Sequence, residues 1–305
     1  MNKYIFIEPI CSLENNHCIN IGNGNFSLLN VLRTITGTAW IKHTVTSKTH
    51  KLNENLTYIP IQTVKKLSVR KFFQNFNDID IDALNEPEFV NRFTRARGKN
   101  RQFYSIVEKE LIEAIIAYKA KNYTTSFLFL YRILETISFT TPLIVLSKNS
   151  DYFKTYDDLK GLFHSSDALG ELGFFKRFLS TLFKDEDYLS VGATLDFSCI
   201  ENIEDRSSCI TIYKKYMAKR KDDNTQIMGL KNENSNEITL EIINFHEFFI
   251  TFRNRFFHNL KGSIRDNIQT VEIFDTNLFF KPIVALGLNH IGLILFKLIE
   301  KDLDF

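Results

Sequence analysis

From Gln102 onward, apolar residues return every three or four positions, the spacing that gathers one face of an α-helix. That period constrains the fold more than any other feature. Val107, Leu111, Ala114, Ile115 and Tyr118 mark one face of a long helix, and a second is expected from about Thr124 to Ser138. Asp157 to Phe183 reads as one or two shorter helices, Asp187 to Asp205 as irregular, and Ser207 to Arg220 as another helix. Lys221 to Glu237 is polar and rich in Asn and Asp, the composition of a surface loop. A strongly amphipathic helix is expected over Ile238 to Asn259. Pro282 suits the first turn of a final helix ending near Asp302. The chain shows no internal repeat.

Residues 1 to about 85 differ. Tyr4 to Ile7 alternates weakly, and Ile19 to Asn25 reads as a strand and turn. Ser27 is positioned to cap a short helix, Leu28 to Arg33, while Thr38 to Val45 and Leu56 to Ile61 favour strand. The fold class expected is mainly α: a helical bundle over 100–305 preceded by a small α+β domain over 1–90. The boundary falls in the basic stretch between them.

The 305 residues carry 38 basic and 36 acidic side chains, so any nucleic-acid contact must come from a local patch. Arg92, Arg95, Arg97, Lys99 and Arg101 crowd one such segment and are candidates to grip a phosphate backbone; a solvated linker explains them equally well. Lys214, Lys215, Lys219, Arg220 and Lys221 form a second run, which a helix C-terminus attracts by its dipole alone. The 29 Phe and 11 Tyr come with abundant Asn, Lys and Ile, a set that adenine- and thymine-rich codons encode, so the Phe excess is not read as a stacking platform.

The four cysteines, Cys11, Cys18, Cys199 and Cys209, lack the spacing of a zinc knuckle. Cys11, His17 and Cys18 would need a distant fourth ligand, so no metal and no cofactor is expected. Gly22-Asn23-Gly24 lacks the Lys-Ser/Thr of a phosphate loop and reads as a tight turn. Glu8 stops the N-terminal apolar run short of a signal peptide. Ile283 to Phe296 falls short of the ~20 residues that span a bilayer. A soluble cytoplasmic protein without a membrane partner is therefore expected.

The chemistry-bearing segment is Asn244 to Asn259. At about 100° per residue, Phe245, Phe248, Phe249, Phe252 and Phe256 form a core stripe, and Glu247, Thr251, Asn254 and His258 line the opposite side. His246 and Arg253 share the flank. A guanidinium binds phosphate through two hydrogen bonds, and an imidazole moves protons near neutral pH. Arg253, Asn254 and His258 together suit phosphodiester cleavage. Arg253 and His258 are five residues apart, roughly 140° around a helix, so one helix does not aim both at one atom. Either the helix ends near Phe257, or a second copy completes the site across a twofold axis. His246 and Glu247 read as a solvated face, His290 as a core histidine, and His164 as part of a loop or cap.

At Arg253-Asn254-Arg255-Phe256-Phe257-His258 the chain resembles the HEPN superfamily, the "higher eukaryotes and prokaryotes nucleotide-binding" helical domains, whose signature is Arg, a polar residue, three further residues and His. The placement near the end of an amphipathic helix, before a final apolar helix, is similar too. The Arg132 to Glu135 stretch looks like the early helix of such domains. The resemblance covers about residues 100 to 305. It implies a metal-independent ribonuclease of the toxin or antiviral-defence type, dimeric through its motif helices, with Arg253, Asn254 and His258 catalytic and RNA as substrate. Arg255 is added to Arg92, Arg95, Arg97, Lys99 and Arg101 as an RNA contact. A trigger protein or antitoxin is the expected partner of the N-terminal domain. The alternative is a non-catalytic helical module binding RNA, nucleotide or protein through the same face; a third is a dimerising scaffold.

Overall fold

A computed structural model describes residues 3–7, 26–37, 39–53, 56, 95, 99–148, 151–163, 171–183, 191–221, 224–227, 229–257 and 267–303. Helices dominate, with small antiparallel sheets beside them. In chain order the elements are β1 (Tyr4–Ile7), α1 (Ser27–Ile35), β2 (Ala39–His43), β3 (Thr49–Leu52), α2 (Arg101–Lys119) and α3 (Tyr123–Leu146). Next come α4 (Tyr152–Phe163), α5 (Glu171–Leu182), β4 (Gly192–Asp196), α6 (Ile203–Met217), β5 (Ala218–Lys221) and β6 (Asn224–Ile227). The chain continues with β7 (Leu230–Glu233), β8 (Glu237–Glu241), α7 (Ile242–Phe257), a 3₁₀ turn at Thr270–Glu272 and α8 (Thr276–Asp302).

The centre is α3 laid against α2 and α8. Phe127 of α3 sits at its heart, with ring centroids 4.8 Å from Phe249 of α7 and 4.8 Å from Phe280 of α8. Such aromatic pairs add ~0.5–1.5 kcal/mol beyond their area burial. Asn277 joins the starts of two helices: its Oδ1 accepts from Tyr123 N at 2.6 Å while its Nδ2 donates to Lys121 O. Asp275 caps α8 by accepting from Asn277 N at 2.7 Å and Leu278 N at 2.9 Å. At the far end, the buried Asp302 accepts from Tyr104 Oη at 3.0 Å and Asn100 Nδ2 at 3.1 Å, and Lys148 Nζ lies 3.4 Å away. One carboxylate thus ties α2, α8 and the end of α3.

The N-terminal sheet runs β1-β2-β3, antiparallel throughout. Ala39, Ile41 and Leu52 on its inner face are fully buried. Helix α1 packs on both α2 and α8, and Gly292 of α8 touches the backbone of Leu56.

Several expectations are corrected. The stretch read as irregular, 187–205, contains β4, and the polar stretch after Lys221 contains β6 and β7: β4 is short, and β6 and β7 are made mostly of polar residues, so no apolar alternation stands out. Helix α6 stops at Met217, and Ala218 to Lys221 pair with Asn224 to Ile227. Helix α7 starts at Ile242, not Ile238, because Glu237 to Glu241 pair with β4 and β7. Ser27 opens α1 from inside it; its N-cap, Phe26, has no side-chain cap. Pro282 lies inside α8, not in its first turn, and α3 runs on through Pro142 to Leu146. The strand β3 was not anticipated. The expected strand beyond Leu56 and the readings at Ile19–Asn25, Gly22–Gly24, His164 and Cys11/His17/Cys18 lie outside the described residues.

Helices α3 and α8 are each long and apolar enough to cross a membrane by length and composition, which corrects the short span expected around Ile283. The apolar window of α8 is 78% buried inside the protein and that of α3 is 50% buried.

Candidate functional site

The Phe stripe turns α7 so that one edge faces outward. Phe245, Phe248, Phe249 and Phe252 are buried, while Glu247, Thr251, Arg253 and Asn254 keep partial exposure. Phe256 is half-buried rather than core, and Phe257 is exposed. His258, the imidazole of the motif, lies outside the described residues, as do Arg92 and Arg97.

Arg253 is held on three sides. Its guanidinium carbon stands 4.0 Å from the centroid of the Tyr131 ring. Nη1 donates to Asn254 Oδ1 at 3.0 Å, and Nη2 lies 3.4 Å from Glu135 Oε1. The aromatic face fixes the plane of the fork, and the amide and carboxylate fix its rotation. The Arg253 side chain is 19% exposed and that of Glu135 46% exposed, so the pair opens to solvent on the carboxylate side. Solvent screening makes such a pair weak, a fraction of 1 kcal/mol to about 1 kcal/mol. A phosphate with two charge-assisted bonds is a stronger partner for the same fork.

Arg255 projects elsewhere. Its guanidinium lies 5.4 Å from the centroid of Tyr216 on α6, and its carbonyl accepts from Ile268 N at 2.9 Å. The structure therefore does not bring Arg255 to Arg253. Arg95, Lys99 and Arg101 are exposed before and at the start of α2. Lys214 and Lys215 pair with Glu233 and Glu272.

His246 departs most from expectation. The solvated-face reading is wrong: the residue is fully buried. Its Nδ1 lies 3.0 Å from His290 Nε2, and its ring centroid lies 5.5 Å from that of Phe175. A helical wheel sees one helix, whereas α5 and α8 both cover this flank. His290 is a core histidine, as expected. Burial pushes the His246 imidazole down to about 3, with the nearby Lys176 adding to the shift. Burial pushes His290 well below its ordinary value, with His246 adding to it. Both rings are neutral, one donating and one accepting according to tautomer. Glu247 is half-buried and pairs with Lys176 of α5.

Sequence reasoning on the motif missed Tyr131 and Glu135 as partners of Arg253. Their signal was present, since Tyr131-Arg132-Ile133-Leu134-Glu135 puts an aromatic and an acid four residues apart on one helical face.

Among the described residues no group of His, Cys, Asp and Glu gathers to hold a metal ion. Burial raises both described cysteine thiols above their ordinary value, Cys209 most of all. Fold and site together define a mainly helical protein with small antiparallel sheets and an arginine presented at a helix edge. The chain matches no protein-family model, no curated protein and no solved structure.

Proposed function

We propose that the chain is a cytoplasmic, metal-independent endoribonuclease of the HEPN type, acting in antiviral defence or as a toxin. The observation that carries the reading is the posture of Arg253, clamped by Tyr131, Asn254 and Glu135 at the solvent edge of α7, five residues before His258. A guanidinium fixed in place stabilises charge that develops on phosphate, at no reorganisation cost during reaction.

The step is an internal transfer. The RNA 2′-oxygen attacks its own phosphorus and loses its proton, the bond to the 5′-oxygen breaks, and that oxygen takes up a proton. A 2′,3′-cyclic phosphate and a 5′-hydroxyl result. His258 handles one of the two protons, Arg253 binds a non-bridging phosphate oxygen, and Asn254 keeps the guanidinium in register. A second chain supplies the partner motif helix of a homodimer, and the N-terminal domain meets the trigger or antitoxin. Arg92, Arg95, Arg97, Lys99, Arg101 and Arg255 remain proposed RNA contacts.

The engagement of Arg253 by an internal carboxylate favours one second reading, a non-catalytic RNA- or nucleotide-binding module. Incubating labelled RNA with wild type and with His258→Ala separates the two. Cyclic-phosphate ends from wild type and none from the folded variant support the ribonuclease. A variant that cleaves at the wild-type rate overturns it.

A further inference from the structure

The one tryptophan of the chain is not in the core. Trp40 lies on β2, the central strand of the N-terminal sheet, on the face opposite the buried Ala39 and Ile41. Successive strand residues point to opposite faces, and the pairing register fixes its neighbours. Trp40 stands opposite Ile7 on one side and Lys51 on the other; Lys42 stands opposite Ile5 and Thr49. Lys42, Lys51 and Thr49 are exposed, and Ile5 is 57% exposed. The ammonium of Lys51 hangs 5.3 Å from the centre of the indole.

The electrostatics of the β2–β3 hairpin are one-sided. Between Ala39 and Asn53 the chain carries Lys42, Lys48, Lys51, His43 and His50 and no Asp or Glu, although acids and bases nearly balance over the whole chain. Lys119 of α2 adds a further cation at the edge, donating to Lys51 O at 2.9 Å.

We infer that the outward face of β1-β2-β3 binds single-stranded nucleic acid, with a base stacked on Trp40 and the flanking phosphates neutralised by Lys42 and Lys51. The complementarity is specific in kind. A flat aromatic accepts the π-face of any base, and lysines beside it, Lys51 one strand over and Lys42 two residues along its own strand, match a sugar-phosphate backbone running beside the stack. A base arriving on the indole displaces the Lys51 ammonium, whose flexible stem carries it to the adjacent phosphate. An acidic peptide would satisfy the lysines and leave the indole without a planar partner. A duplex would keep its bases stacked inside and away from the ring. This surface is separate from the α7 edge and its binding does not depend on cleavage there.

The single tryptophan makes the test direct. The full-length protein is titrated with an oligothymidylate, which has no 2′-hydroxyl and so resists cleavage by internal attack. Trp40 fluorescence is read on one arm, and anisotropy of a dye-labelled strand on the other. Binding should quench Trp40 and weaken as salt rises. Trp40→Ala should weaken binding about tenfold or more, and Trp40→Phe much less. Lys42→Ala with Lys51→Ala should reduce the salt slope by about 0.7 per lysine removed. Circular dichroism confirms that each variant is folded. A strand that binds without quenching Trp40 overturns the inference, as does undiminished binding by the folded Trp40→Ala variant. Tighter binding of polyglutamate or of anionic vesicles than of the oligonucleotide overturns it as well. Failure here with intact RNA cleavage refutes only the sheet surface; binding without any RNA cleavage refutes only the ribonuclease.

Discussion

At the scale of single residues, the site depends on how firmly Arg253 is aimed. Tyr131 supplies a buried, rigid ring under the guanidinium, and a cation over an aromatic face is worth ~0.5–2 kcal/mol as water is excluded. Glu135 adds little energy because it is half exposed, but it restricts the rotation of the fork. Tyr131→Phe keeps the π-face and should leave the RNA cleavage rate within about twofold of wild type. Tyr131→Leu removes it and should lower kcat about tenfold or more, since small misplacements of a catalytic group are costly. In an Arg253→Ala background, Tyr131→Leu should have no further effect on cleavage. Additive losses in that double variant would mean that Tyr131 acts through general stability instead.

At the scale of elements, the long helices were legible because their period is strong and sustained: α2, α3 and α8 all appear where apolar residues recur. The polar edge of α7 was legible for the same reason. What was not legible depended on neighbours. The sequence of α7 places His246 beside Arg253, yet one packs under α5 and α8 while the other reaches solvent, and no single-helix wheel distinguishes them. The strands β3 and β7 are short and mostly polar, and β4 is short, so pairing rather than propensity makes them strands. Helix packing also turns on small residues that the hydrophobic pattern ignores. A Cβ at Gly292 of α8 would stand 2.3 Å from the carbonyl oxygen of Leu56, a backbone atom that cannot swing away. Gly292→Ala gains about 1 kcal/mol of helix propensity but should lose more to this clash, for a net destabilisation of about 1–2 kcal/mol. Thermal unfolding checks this; a variant as stable as wild type would mean that α8 and Leu56 do not meet so closely.

At the scale of the whole molecule, the histidine pair is where the helices around the site close on one another. His246 comes from α7, His290 from α8, and Phe175 and Lys176 of α5 cover them; Glu247 faces Lys176 beside the pair. The two rings share one hydrogen bond, and among the described residues His246 Nε2 has no hydrogen-bond partner. Neither ring can accept a proton in place without burying a charge near the Lys176 ammonium. Both imidazoles titrate lower in the folded chain than the usual 6.5, His246 at about 3, so the unfolded chain binds more protons across that interval. Their contribution to stability is full above pH about 6.5 and is lost progressively as the pH falls toward about 3, at up to about 1.4 kcal/mol per pH unit for each ring. Carboxylates also titrate toward the lower end of this range, so the histidine contribution needs a subtraction. Denaturant unfolding at about pH 7.5 and at about pH 5.5 should show wild type losing stability on acidification. The double variant His246→Leu, His290→Leu should show a much flatter dependence over the same interval, whatever its absolute stability. Equal slopes in the two proteins would mean that the rings are hydrated or already charged in the folded state. Because α7 also carries Arg253, acid strong enough to part α5, α7 and α8 should release the arginine edge in the same transition, and on the proposed ribonuclease reading RNA cleavage should fall along that unfolding curve.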